Sequence, residues 1–135
     1  MIEYVNTTKN RLSRKETIAT LNRAIKYLKI KKADLSVVII SESDIKRLNK
    51  KYRKKDKATD VLSFTYSNKK DALDGEIIIC YSIAKANAKK FGHSLAAEIK
   101  KLLIHSLLHL VGYDHKKNSD ALKMEKLEER IIKSI

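Results

Sequence analysis

The sequence predicts an α+β fold, in which one domain contains a small mixed four-stranded sheet packed against about five helices. Strand-like and helix-like segments follow one another in the order β-α-β-α-β-β-α-α-α. The chain has 135 residues, 43% of them hydrophobic, and no linker or repeat divides it. This length and composition suit a single core.

The N-terminal half is predicted to alternate strands with helices. Residues 2–5 form a short apolar run and are expected to be an edge strand. Residues 13–16, Ser-Arg-Lys-Glu, form a capping box that opens a helix. Its expected apolar face consists of Ile18, Leu21, Ile25 and Leu28.

The unbroken β-branched run at 34–40 predicts a central strand covered on both faces. Residues 41–44 then cap a second helix, whose inward positions are Ile45, Leu48 and Tyr52.

The C-terminal half is predicted to hold a strand pair and three helices. Residues 59–66 and 75–81 are expected to form the strands, joined by a surface loop at 67–71. A third helix runs from Ser82 to Phe91 and stops at Gly92, and Ser94 caps the long fourth helix. Ser119 and Asp120 are expected to cap the last helix. Its predicted packing positions are Leu122, Leu127, Ile131 and Ile132.

Composition limits the classes of protein to which the chain can belong. The formal net charge of +14 favours polyanionic partners, above all nucleic acid, although a Lys-rich genome also produces such surfaces. Cys80 is the single cysteine and sits in an apolar run, which indicates a buried thiol in a reducing compartment. We find neither a membrane-spanning run nor a signal peptide, and therefore expect a cytoplasmic protein with no membrane partner.

The histidines of the long fourth helix predict a metal site. His105 and His109 are four residues apart and lie on the same helix face, within a helix that is apolar on nearly every side and therefore central. Gly112 is expected to end the helix and let the chain turn, so that His115 can return to the other two histidines. Three imidazoles with an open fourth position are typical of a catalytic site with one zinc ion, although nickel, copper and iron also suit histidine ligands. Zinc in such a site lowers the pKa of its water.

Three sequence blocks carry a family resemblance. The first is His105 to His115, with the pattern H-x-x-x-H-x-x-x-x-x-H ending in Leu-Val-Gly-Tyr-Asp-His. The second is residues 48–64, which include Leu-Asn-x-x-Tyr-Arg and Thr-Asp-Val-Leu-Ser-Phe, and the third is residues 74–79. Their order and spacing resemble those of the YbeY family of bacterial metal-dependent endoribonucleases. The chain departs from the family pattern at Ser106, usually Gly, and at Ala58, usually Pro.

The resemblance implies that residues 1–135 are one metallo-endoribonuclease domain. It implies cleavage of single-stranded RNA in the maturation of small-subunit (16S) ribosomal RNA and in ribosome quality control, with the small subunit and its assembly factors as partners. It identifies Arg53, His105, His109 and His115 as catalytic residues. A guanidinium can clamp two phosphate oxygens, so Arg53 is also expected to bind substrate, together with Lys54 and Lys55. The oligomeric state is not indicated.

Several residues have competing interpretations. Asp60 and Asp114 are candidate acceptors for the outer nitrogens of the histidines, but Asp114 can instead stabilise the turn. Glu98 is a possible general base, and a capping or solvated residue is the alternative. Tyr52 and Tyr113 can stack on bases or pack in the fold, and His93 is expected at the surface.

Two other functions compete with the endoribonuclease. One is a non-catalytic ribosome-assembly factor that the metal only stabilises. The other is a metallohydrolase of a different substrate class, such as a peptidase. A zinc peptidase of the His-Glu-x-x-His type has a Glu where this chain has Ser106, which disfavours the second alternative. It also leaves the general base and the choice between water and the RNA 2′-hydroxyl as nucleophile open.

Overall fold

The computed structural model describes residues 1–69, 72–113 and 117–135. Its four strands are β1 (Ile2–Asn6), β2 (Lys32–Ile40), β3 (Val61–Lys69) and β4 (Ala72–Cys80). They form one sheet in the order β1-β2-β4-β3. The pairs β1–β2 and β2–β4 are parallel, and β3–β4 is antiparallel. The mixed sheet, the edge position of β1 and the central position of β2 are confirmed.

Five helices pack against this sheet in the described part of the chain, as predicted. They are α1 (Arg14–Tyr27), α2 (Glu42–Arg53), α3 (Tyr81–Phe91), α4 (Leu95–Leu110) and α5 (Asn118–Ser134). The Ser13, Ser41 and Ser94 side chains each accept a hydrogen bond from the backbone N–H three residues later, so these three predicted caps are confirmed. None of the described helices is long and apolar enough to cross a membrane.

The sheet buries a separate hydrophobic cluster on each face. The larger cluster joins alternate residues of β2 and β4, such as Val37 and Ile77, to α1, α4 and α5. The smaller cluster, which contains Ile40 and Ile78, packs against Ile45 of α2. Since successive residues of a strand point to opposite faces, the two clusters explain why β2 is apolar without interruption.

Five local predictions are wrong. Residues 67–69 continue β3 beyond a bulge instead of joining a surface loop, because Asp74, Leu73 and Ala72 supply backbone partners for them. The third helix begins at Tyr81, after Cys80 as N-cap, and the last begins at Asn118, before the expected caps. Leu122 is 52% exposed, since the inner face of α5 runs through Met124 and Ile131. Tyr52 is 55% exposed, because the last turn of α2 lies beside the edge strand β3.

Candidate functional site

The C-terminal end of α4 lies unusually close to the sheet at Gly75 of β4. A Cβ atom at position 75 would stand 2.9 Å from Leu110 Cδ2 and 2.9 Å from the Phe64 carbonyl oxygen. Glycine is therefore the residue that lets α4 approach the sheet here. The Thr65 hydroxyl also lies 3.5 Å from the Leu110 carbonyl oxygen, to which it donates. These contacts fix His109, next to Leu110, beside strand β3.

His105 and His109 converge as their spacing predicts. Their Nε2 atoms are 3.1 Å apart, and their rings meet edge to face with centroids 4.7 Å apart. Helix α4 ends at Leu110, and Gly112 has a φ of +107°, so the predicted turn after the helix is confirmed. His115, the third predicted ligand, and Asp114 lie outside the described residues.

Glu128 of α5 approaches the opposite side of the His105 ring. Its Oε1 lies 3.2 Å from His105 Nδ1, and its side chain is 9% exposed. The two atoms are within ion-pair distance, but Oε1 has no well-aligned hydrogen bond within the described part of the chain. A carboxylate at this place favours the proton on Nδ1, which leaves the lone pair of His105 on Nε2. The arrangement prepares Nε2 as a metal ligand.

The two imidazoles fit a transition-metal ion. Two ligand nitrogens at zinc–nitrogen distances of about 2.0–2.1 Å in a tetrahedron are about 3.3 Å apart, close to the observed 3.1 Å. Across residues 1–69, 72–113 and 117–135, no group of three or more His, Cys, Asp or Glu side chains is arranged to hold a metal. The described chain therefore brings together two imidazole nitrogens that could hold a metal, with a carboxylate behind one of them.

Arg53 reaches the same place from the other face of the sheet. It is the last residue of α2, and its Nη2 donates to the Ser63 carbonyl of β3 at 2.7 Å. Its guanidinium carbon also lies 5.1 Å from the centre of the Phe64 ring. These two contacts hold the planar guanidinium against the edge strand. The remaining N–H donors of Arg53 suit the oxygens of a phosphate.

One cavity connects Arg53 with His109 over strand β3. Its volume is ≈ 450 Å³. We call it the β3 cavity, and its lining consists of Arg53, Ser63, Phe64, Thr65, Tyr66 and His109. Helices from opposite faces of the sheet thus present a guanidinium and an imidazole to one space.

The predicted lysines lie at the end of α2. Lys54 and Lys55 are exposed, and Lys54 adopts a left-handed conformation with φ of +58° that ends the helix. The backbone N–H of Lys55 donates back to the Asn49 carbonyl at 3.3 Å. The buried Asn49 side chain in turn donates to the Lys57 carbonyl at 2.9 Å. The loop that carries the lysines is therefore tied to α2.

Two predicted carboxylates have other partners. Asp60 Oδ2 accepts from Asn87 of α3, and Asp60 Oδ1 lies 3.3 Å from the Thr59 hydroxyl. Glu98 is 3% exposed, so the expectation of a solvated residue is wrong, and it lies 2.5 Å from His93 Nε2 near the start of α4. The same pairing places His93 only partly at the surface.

Sequence reasoning missed Glu128 and Tyr66. Glu128 occupies a position of α5 between the buried Met124 and Ile131, so a charged residue on the inner face was a usable signal. Tyr66 has no such signal, because it is the extra residue of the β3 bulge between Thr65 and Ser67. Partial burial is the main cause that raises the pKa of Tyr66, and the Glu76 carboxylate raises this pKa further. The Tyr66 hydroxyl donates to Glu76 Oε1 at 3.4 Å.

Comparisons with known proteins agree with this architecture. The model of the family described as Endoribonuclease YbeY matches residues 3–135. An Endoribonuclease YbeY of Aquifex aeolicus is 38% identical over 115 residues, which cover 83% of this chain and 77% of that protein. The protein of the same name from Nautilia profundicola is 44% identical over 102 residues, covering 76% and 72%.

A solved structure shows the same fold. The solution structure of a Thermotoga maritima protein aligns with a TM-score of 0.64 and 29% identity, covering 97% of this chain and 89% of that one. Together with the matching sequence blocks, these comparisons show that the chain belongs to the YbeY endoribonuclease family.

Proposed function

We propose that the chain is a metal-dependent endoribonuclease that cleaves single-stranded RNA during maturation of small-subunit ribosomal RNA. The observation that carries the proposal is the β3 cavity, where Arg53 and His109 face one space from opposite sides of the sheet. The name Endoribonuclease YbeY, borne by the relatives, gives the substrate class.

His105, His109 and His115 are the proposed metal ligands, and zinc is the proposed ion. The nitrogen geometry and the carboxylate of Glu128 behind His105 support the first two residues. A zinc ion held there would supply Lewis-acid stabilisation of phosphate charge and lower the pKa of a water molecule.

Arg53 is proposed to bind the scissile phosphate. Charge develops on the phosphate oxygens as the phosphodiester bond breaks, and a guanidinium already oriented by Ser63 and Phe64 stabilises that charge without reorganising. Lys54 and Lys55 extend the positive surface along the RNA backbone. A flexible single strand can bend to present a phosphate to this recessed site, whereas the backbone of a duplex is held in a rigid helix.

The proposal extends to a wider biological role. The proposal includes residues 1–135 acting as one catalytic domain in the cytoplasm, a role in ribosome quality control, and the small ribosomal subunit and its assembly factors as partners. Ser106 is 1% exposed and packed inside α4, so its position offers no general base for a peptidase mechanism. The net charge of +14 also supports RNA as the substrate.

The test compares cleavage of a fluorescent single-stranded RNA by the wild type and by His109→Ala, with metal content determined for both. We expect the variant to lose bound metal and at least 100-fold in cleavage rate, about 2.7 kcal/mol in the barrier. His93→Gln is the matched control, because Gln can still donate to Glu98 outside the β3 cavity. Cleavage by His109→Ala at the wild-type rate would refute the proposal.

The ends of the RNA products identify the nucleophile in the same experiment. Attack by the 2′-hydroxyl leaves a 2′,3′-cyclic phosphate, whereas attack by water leaves a phosphate monoester and a free hydroxyl. Metal bound by the wild type without cleavage of RNA would support the alternative of a non-catalytic assembly factor.

A further inference from the structure

An apolar groove lies beside the β3 cavity, on the face of the sheet that α2 covers. Its volume is ≈ 510 Å³, within the range of about 300–1,000 Å³ that is typical of small-ligand sites. Its walls are Tyr52, Phe64 and Tyr66, its floor includes Val38 and Ile78, and one carboxylate, Glu76, enters it. We call this the aromatic groove.

The aromatic groove and the β3 cavity are neighbours with a shared wall. Phe64 and Tyr66 line both of them. An RNA strand whose phosphate lies between Arg53 and His109 therefore has the groove within reach of an adjoining nucleotide. This shared wall favours the same ligand for the groove and the cavity.

The aromatic side chains are exposed where a base can stack. Tyr66 is 65% exposed and Tyr52 is 55% exposed, and the ring centroids of Tyr52 and Phe64 are 5.5 Å apart. The bulge in β3 sets Tyr66 outside the regular pairing with β4. Its hydroxyl is held by Glu76 at 3.4 Å. The ring is thus positioned at the surface instead of packing into the smaller cluster.

The surrounding charge favours nucleic acid as the occupant. Lys51 Nζ lies 5.2 Å from the centre of the Tyr52 ring, and Arg53 lies against Phe64. Exposed aromatic rings next to a cationic track are the combination by which proteins bind single-stranded nucleic acids. An apolar protein segment would use the rings but would gain nothing from the cations.

We propose that the aromatic groove binds the unpaired base adjoining the scissile phosphate, which stacks on Tyr66 while the Glu76 carboxylate accepts hydrogen bonds from its edge. The inference rests on the proposed function and adds a specificity site to it. Guanine presents two neighbouring donors, N1–H and the 2-amino group, and matches the two oxygens of Glu76 best. Uracil offers one donor between two acceptors and matches worst. The site therefore selects guanine over uracil.

The test measures binding of short fluorescein-labelled single-stranded RNAs by anisotropy, with either a guanosine or a uridine at one central position of a uridine oligomer. Tyr66→Ala should weaken binding of the guanosine oligomer about tenfold or more, the usual effect of losing a base–aromatic stack. Tyr66→Phe should keep most of the affinity. Tyr27→Ala is the control, because Tyr27 is an exposed tyrosine at the end of α1.

Glu76→Gln tests the specificity of the groove separately. This substitution should reduce the preference for the guanosine oligomer several-fold while leaving the affinity for the uridine oligomer nearly unchanged. Equal wild-type affinity for the two oligomers would overturn the assignment of Glu76.

The outcomes separate this inference from the proposed function. Wild-type affinity in Tyr66→Ala, with normal cleavage by the wild type, would overturn only the groove. Binding that depends on Tyr66 without any cleavage would support the groove and contradict the endoribonuclease. A wild-type protein that neither binds nor cleaves single-stranded RNA would overturn both.

Discussion

Helices α2 and α4 both end at the β3 cavity, but they are built differently. Helix α4 contacts α1, α3, α5, β3 and β4, and nine of its residues are buried. Helix α2 buries two residues, Ile45 and Asn49, and presents basic side chains in its last turn. One helix is an element of the core, and the other covers the far face of the sheet from the outside.

This difference suits the proposed roles of the two helices. Metal ligands must be held within a few tenths of an ångström, and a helix with nine buried residues holds His105 and His109 in this way. Contacts to a flexible RNA strand need accessible side chains, which α2 provides through Arg53 and the following lysines. Substitutions in α4 should therefore change stability and function together, and those in α2 chiefly function.

The largest expected effect is on stability, and it differs between the inward faces of α4 and α2. Leu103 of α4 is 1% exposed, so Leu103→Ala should lower the free energy of unfolding by about 2–5 kcal/mol. Leu48→Ala in α2 should lower it by less than about 2 kcal/mol, because Leu48 is only partly buried. Urea denaturation measures both, and equal losses would contradict the comparison.

Gly75→Ala should disturb the place where α4 meets the sheet. The added methyl group would lie 2.9 Å from Leu110 Cδ2 and from the Phe64 carbonyl, so we expect a loss of about 1–3 kcal/mol in stability. Because Leu110 adjoins His109, metal affinity should fall as well. Gly92→Ala is the control, since its φ of +72° brings a comparable strain away from the cavity. Unchanged metal affinity in Gly75→Ala would show that this contact does not position His109.

Glu128→Gln tests the carboxylate behind His105. The amide keeps the shape of the side chain but removes its charge, and metal affinity should fall about 10- to 100-fold. Glu125→Gln, at an exposed position of the same helix, should leave metal affinity unchanged. A metal titration that gives equal affinities for both variants would remove Glu128 from the site.

The smallest expected effect concerns the end of α2. Lys54 and Lys29 both have φ of +58°, so replacing either with Gly should raise stability by up to about 1 kcal/mol. Lys54→Gly should also weaken RNA binding. The slope of the logarithm of the binding constant against the logarithm of the salt concentration should fall in magnitude by about one, as expected for a lost phosphate contact. An identical salt dependence in Lys54→Gly and Lys29→Gly would place Lys54 outside the RNA path.

Much of the fold was predictable because its signals are local. Serine caps, alternating apolar residues and Gly112 defined most elements, and the i,i+4 spacing brought the Nε2 atoms of His105 and His109 within 3.1 Å. The prediction that Tyr52 faces inward was wrong because of tertiary packing. Its spacing from Leu48 matches an inward face, but the last turn of α2 lies over the edge of the sheet.

The rest of the candidate site depends on contacts between distant residues. Gly75 leaves room for Leu110 because helix α4 packs on strand β4, and the two residues are 35 positions apart in the sequence. Arg53 and His109 meet because two helices on opposite faces of the sheet both reach the edge strand β3. No local pattern specifies these arrangements, whereas the inward-facing Glu128 could have been found from the buried face of α5.

The most direct test of the central claim is a double-mutant cycle with Arg53→Ala and His109→Ala, measured by single-turnover cleavage of single-stranded RNA. Residues that act on one phosphodiester in one transition state are strongly non-additive. We therefore predict that the double variant is about as slow as the slower single variant. Rate losses that multiply would contradict the account, because they would show that the two sides of β3 act independently.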